Sequence, residues 1–154
     1  MITIVIPIFN KIGNESNDSR DIIVQTDEVF NFAINFYKYN IGIIEDDYEY
    51  FLIDGSYKVE INFGLLKSEI EIEYQKNKAG LPLFSYNINS NMLSFVNKLH
   101  NQNIKILSLV ETLGGYVLQF MDPFFNVIQI KCENFDDENL KFIDTSGWNF
   151  YKRI

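Results

Sequence analysis

The side chains of this sequence that could do chemistry are carboxylates, amides, one histidine and one cysteine. Glu60 lies in the run YKVEINF, residues 57–63, where polar and apolar residues alternate. A β-strand turns successive side chains to opposite faces, so Tyr57, Val59, Ile61 and Phe63 share an apolar face and Lys58, Glu60 and Asn62 share the other. The run VIQIKC, residues 127–132, divides the same way, with Ile128 and Ile130 on one side and Val127, Gln129 and Lys131 on the other. Glu60 with Glu49 or Asp54 would make a carboxylate pair for acid–base work, although turn and surface carboxylates are common without such a role.

The single residues are less promising. His100, the only histidine, falls among polar neighbours at the end of a helical pattern, which suits a solvated surface position. Cys132, the only cysteine, has no histidine near it in sequence and reads as a structural thiol at a strand end. The sequence has no G-x-S-x-G, no glycine-rich phosphate loop and no Cys–His pairing signal. Glu69, Glu71 and Glu73 alternate with Ile70, Ile72 and Tyr74, the pattern of an amphipathic strand or connector.

The elements that position these residues belong to a chain of 154 residues, enough for one domain with a substantial core. Hydrophobic residues are 47% and aromatics 16%, which excludes global disorder. A net charge of −8 argues against nucleic acid as a partner, because phosphate binding needs a basic surface. One cysteine permits no internal disulfide and fits a cytoplasmic setting. The opening MITIVIPIF is apolar but short and reads as a strand, not as a signal peptide or a membrane span.

Helical periodicity occurs at residues 28–39, with Val29, Phe32, Ala33, Phe36 and Tyr37 on one face, and at residues 91–100, with Met92, Phe95, Val96 and Leu99. Asp27 or Thr26 can cap the first helix, and Ser90 or Asn89 the second. A strand precedes each helix, at residues 22–25 and 81–88. Three strands follow each, at 41–45, 48–53 and 57–63, and at 104–109, 116–121 and 127–132. The order β-α-β-β-β therefore occurs twice. Residues 2–9 are an additional strand candidate, and the sequence leaves open whether they are the true first strand, with the loop KIGNESNDSR inserted. The tail 135–154 carries Trp148, Phe150 and Tyr151 and is expected to dock on the body or on a second subunit.

Two motifs tie this order to a known family. AINFYKYNIG resembles the A-x-x-F-Y-x-x-x-x-G of the vicinal-oxygen-chelate superfamily, which includes glyoxalase I and the bleomycin-resistance proteins. YVLQFMDPFFNVIQI resembles that superfamily's hairpin F-x-D-P-D-G-N-x-I-E-L. The resemblance implies an α+β fold in one domain, residues 1–154, with modules at about 20–64 and 81–132. Their strands would curl into an open half-barrel with the helices outside.

Metal-dependent members of the superfamily set two histidines and two glutamates on the concave face. Glu60 matches one glutamate and Gln129 stands where the other would be. The histidine positions fall at or beside Phe84 (or Leu83), and near Arg20 or Ile22, so no imidazole is offered. No metal and no cofactor are therefore expected.

What the resemblance implies is a small-molecule-binding protein of the bleomycin-resistance type, sequestering a cationic or amphipathic ligand without catalysis. The candidate ligand-binding residues are Glu60, Asn62, Gln119, Gln129 and one face of the fifth strand, either Ser85 and Asn87 or Phe84 and Tyr86. A homodimer is expected, with neither nucleic acid nor membrane as partner. The alternatives are a metal-independent enzyme using Glu60 as general base, and an interaction or immunity-type protein with a vestigial cavity.

Overall fold

The structure, a computed structural model, describes residues 2–10, 19–78, 80–88, 91–132 and 151–153. The chain divides into two compact units, Met1–Lys78 and Ala79–Ile154. The first unit runs β1 (Thr3–Ile8), α1 (Ser19–Asn40), β2 (Ile44–Asp46), β3 (Glu49–Asp54), β4 (Tyr57–Leu65) and α2 (Glu69–Asn77). Its sheet has the order β1-β4-β3-β2, with β1 parallel to β4 and the other pairs antiparallel.

The strand expected at residues 22–25 does not exist: those residues are helical and belong to α1. Ile22, Ile23 and Val24 have β-forming side chains, but propensity is a weak term. Ile22, Thr26, Val29, Ala33 and Phe36 follow one another at alternating steps of four and three, which carries the helical period straight through the segment. The helix therefore starts well before the expected caps Thr26 and Asp27. Residues 3–8 are the first strand instead. Ile4, Ile6 and Ile8 pair with Ile61, Phe63 and Leu65, and Ile6 and Ile8 are fully buried.

The family motif on α1 has a plain physical content. Ala33, Phe36 and Tyr37 are buried, and the Tyr37 ring meets Phe63 edge-on at 5.7 Å, which seats the helix on that face of the sheet. Asn40 donates its side-chain amide to the Phe36 carbonyl at 3.1 Å. Gly42, at φ +81°, donates its N–H to the Tyr37 carbonyl, and this left-handed turn ends the helix.

The segment 69–77 is a helix, not the expected amphipathic strand or connector. Ser68 Oγ accepts from the Glu71 N–H at 3.1 Å and donates to Glu71 Oε1 at 3.0 Å. The Ser68 cap satisfies one helix N-terminal N–H, the side-chain bond to Glu71 holds the cap in place, and glutamate favours helix in any case.

The second unit runs β5 (Pro82–Asn87), α3 (Met92–Asn101), β6 (Ile106–Thr112), β7 (Gly115–Met121), β8 (Val127–Cys132) and β9 (Tyr151–Arg153). The sheet order is β5-β8-β7-β6-β9, with β5 parallel to β8 and β9 parallel to β6. Asn91 caps α3, its Oδ1 accepting from Ser94 N–H at 2.9 Å. The expected caps Asn89 and Ser90 lie outside the described residues. Met92, Val96 and Leu99 of α3 are buried, and Phe95 contacts Phe120 at 6.1 Å between ring centroids. Phe120, Ile128 and Phe84 are in register across β7, β8 and β5, so one face of this sheet belongs to the helix. Each such buried side chain contributes roughly 1.5–3 kcal/mol. In the tail, β9 docks on β6; Trp148 and Phe150 lie outside the described residues.

The hairpin motif holds the β7–β8 turn. Asp122 is buried, and its Oδ1 accepts from the N–H groups of Phe124 and Asn126, both at 2.8 Å. Its Oδ2 accepts from Asn126 Nδ2 at 2.9 Å. Phe125 takes the left-handed conformation, φ +65°, at the place where the family pattern has glycine. The doubled β-α-β-β-β order is present, and the fold is α+β.

Candidate functional site

In each unit one sheet face carries a helix, and the polar residues singled out in the sequence stand on the other. In the first unit Thr3, Glu60, Phe51 and Ile44 form one row across β1, β4, β3 and β2. Glu60 is half-buried. Asn62, exposed and two residues along, places its amide nitrogen 3.0 Å from Glu60 Oε1 in the orientation that satisfies both groups. Lys58, on the same side of β4, does not reach Glu60. Its Nζ stands 3.9 Å from the centroid of the Phe51 ring, which is only 5% exposed. Among the described residues no ion pair involves Glu60. Glu49 and Asp54, the suggested carboxylate partners, are at opposite ends of β3, where they pair neither with Glu60 nor with each other.

In the second unit the register aligns Ser85, Gln129, Gln119 and Ser108 across β5, β8, β7 and β6. Three of these are joined by hydrogen bonds: Gln119 Nε2 donates to Gln129 Oε1 at 2.9 Å, and Gln129 Nε2 donates to Ser85 Oγ at 3.2 Å. Both amides are half-buried and Ser85 is exposed. Asn87 is one step further along the same face, opposite Lys131. The open choice on β5 is decided by burial. Phe84 and Tyr86 are buried on the helix side, leaving Ser85 and Asn87 with the glutamines.

Phe51 was not among the sequence candidates. Its signal was available: in EYFLID, Phe51 and Ile53 are apolar on the face that β4 fills with Lys58 and Glu60, so that face is not uniformly polar.

The donor set does not fit a divalent transition metal. The first-strand position is corrected from Arg20 or Ile22 to β1, where Thr3 and Val5 flank Glu60 and Asn62 in register. In the second unit Gln129 is engaged with Gln119 and Ser85, and Phe84 faces the helix. The first unit offers one carboxylate beside an amide and a hydroxyl, and the second two amides and a hydroxyl, so neither row has an imidazole or more than one anionic ligand for such an ion. Among the described residues no group of three or more His, Cys, Asp or Glu side chains is arranged to hold a metal.

A separate charged cluster fastens α1 to β2 and β3. Lys38 Nζ pairs with Glu45 Oε2 at 3.0 Å, and Tyr50 OH donates to Glu45 Oε1 at 3.3 Å. The Lys38 hydrogen bond and charge hold the Glu45 carboxyl below its ordinary value, while burial and then the Glu45 charge push the Tyr50 hydroxyl up. The ion pair itself is exposed.

No family model matches the sequence, and no curated protein matches it. Solved structures do. The fosfomycin resistance protein FosX of Listeria monocytogenes is similar over 86% of this chain and 90% of its own, with a TM-score of 0.52 and 11% identity. An integron cassette protein from the mobile metagenome of a Halifax Harbour sewage outfall matches over 86% and 97%, with a TM-score of 0.51 and 12% identity. UcmS2 matches over 85% and 96%, with a TM-score of 0.52 and 13% identity. With the doubled β-α-β-β-β order and the two motifs in place, the chain has the vicinal-oxygen-chelate fold. Among the described residues no helix is long and apolar enough to cross a membrane.

Proposed function

We propose that this protein binds and sequesters a small molecule without metal chemistry, using the sheet face that carries Glu60, with Glu60 as the polar anchor for a cationic or amphipathic ligand. The observation that carries the reading is the state of Glu60: a half-buried carboxylate whose neighbouring lysine is drawn to Phe51 instead. A partly desolvated carboxylate gains from a cation that completes its hydrogen bonding. The chain's charge of −8 draws cations to it and disfavours anions. The second unit has a polar sheet face of its own, where Ser85, Asn87, Gln119 and Gln129 offer neutral contacts of the kind that set ligand orientation. The working form is a cytoplasmic homodimer, for which light scattering should report twice the 18.1 kDa chain mass.

The test is calorimetric titration of the full chain with metal-free bleomycin and with ethidium as cations, and with fosfomycin as an anionic comparator. The cations should bind more tightly than fosfomycin. Glu60→Gln should weaken cation binding by about 1–3 kcal/mol, the usual cost of unpairing a charge-assisted hydrogen bond. Equal binding of the cations by wild type and Glu60→Gln would refute the role of Glu60.

A further inference from the structure

The geometry points to the Ser85–Gln129–Gln119 row as a recognition site for a neutral group that presents a hydrogen-bond donor and acceptor along one edge, a lactam or a primary carboxamide. This rests on the small-molecule reading above and names the ligand chemistry for one of its faces.

A carboxamide side chain carries two N–H donors and an oxygen with two acceptor positions, and a serine hydroxyl carries one donor. The row uses one Gln119 hydrogen on Gln129 Oε1 and one Gln129 hydrogen on Ser85 Oγ. Each glutamine therefore retains an N–H, and Gln119 Oε1 and the Ser85 hydroxyl hydrogen have no other partner among the described residues. Donors and acceptors thus stand side by side on one sheet face. The mutual bonds already hold two rotamer-rich side chains, which lowers the ordering cost when a ligand arrives.

The row itself carries no charge. The nearest ion on its face is Lys131, one register step away beside Asn87. A charged group on the glutamines would lose water without gaining a counter-ion, whereas a neutral amide exchanges its hydrogen bonds evenly. Val117, the half-buried neighbour of Gln119 on this face, offers an apolar surface to the ligand's carbon frame. A trans peptide group sends its N–H and C=O in opposite directions, so a single edge cannot engage the row through both. A ring-constrained cis amide sends both the same way.

The experiment follows the side-chain amide NMR signals of Gln119 and Gln129 in the full-length chain. The probes are 2-pyrrolidinone, N-methyl-2-pyrrolidinone and N-methylacetamide. The first should shift both signals saturably. The N-methyl lactam, which lacks the donor, and N-methylacetamide, a trans amide, should each bind about tenfold more weakly. Gln119→Met and Gln129→Met should abolish the preference for 2-pyrrolidinone while the α3 backbone signals stay in place. If either variant fails to fold, Ser85→Ala, at an exposed position, should reduce the preference instead. Equal affinity for the three probes, absence of a saturable shift, or an unchanged preference in the variants would overturn the proposal. Bleomycin binding that still depends on Glu60 would then leave the broader function standing, and loss of both would remove both.

Discussion

Lys58 Nζ stands 3.9 Å from the centre of the Phe51 ring, although Glu60 lies two residues away on the same side of β4. The ring is almost fully buried, so its negative face acts through little water, which strengthens its hold on a cation. Glu60 instead receives the Asn62 amide. A double-mutant cycle in urea with Lys58→Met and Phe51→Leu should show a coupling of about 0.5–1 kcal/mol. The cycle pairing Lys58→Met with Glu60→Gln should show a coupling near zero. A larger coupling to Glu60 than to Phe51 would mean that the lysine neutralises the carboxylate after all.

Asp122 takes three hydrogen bonds inside the β7–β8 turn, two from backbone N–H groups. Asp122→Ala leaves those donors unsatisfied in a buried turn and should cost about 2–4 kcal/mol of unfolding free energy. Asn126→Ala should cost less, and the double variant less than the sum, because the two side chains share one bond. Additive losses in urea denaturation would contradict this arrangement.

The Lys38–Glu45–Tyr50 cluster should give the protein a pH signature. The Glu45 carboxyl is held low, so the folded state binds that proton less tightly than the unfolded chain. Its stabilisation is therefore complete above the unfolded value and is lost as the pH falls through the lowered folded value. Tyr50 runs the other way. Its raised value gives a contribution present below the unfolded value and lost as the pH rises through the folded one. Lys38→Met should move the Glu45 titration, followed by carboxyl NMR, up to the ordinary glutamate range. Molar salt should produce part of that shift, because the pair is exposed. A titration midpoint that ignores both changes would show that the pair does not form in solution.

The sequence by itself determined the elements whose signals are local and periodic. The β4 alternation put Val59 and Ile61 on one face and Glu60 and Asn62 on the other. The spacing of Ala33, Phe36 and Tyr37 marked the buried side of α1, and Asp122 and Asn126 marked a turn that their own side chains close. Local signals misled where two periods compete over a short stretch. Ile22, Ile23 and Val24 read as a strand until the helical spacing from Ile22 to Phe36 is followed through. Residues 69–74 alternate like a strand, yet the Ser68–Glu71 cap decides for a helix. Only the tertiary structure decided which strand borders β4, because β1 gains its place through contacts with residues almost 60 positions away. The same holds for the site. Gln129 and Gln119 are ten residues apart, but Ser85 joins them from 44 residues upstream, through a parallel β5–β8 pairing that no sequence window spans. Lys58 chose Phe51 over Glu60 for a related reason: the strength of a cation's partner depends on how much water the surrounding fold excludes, and the sequence does not carry that quantity.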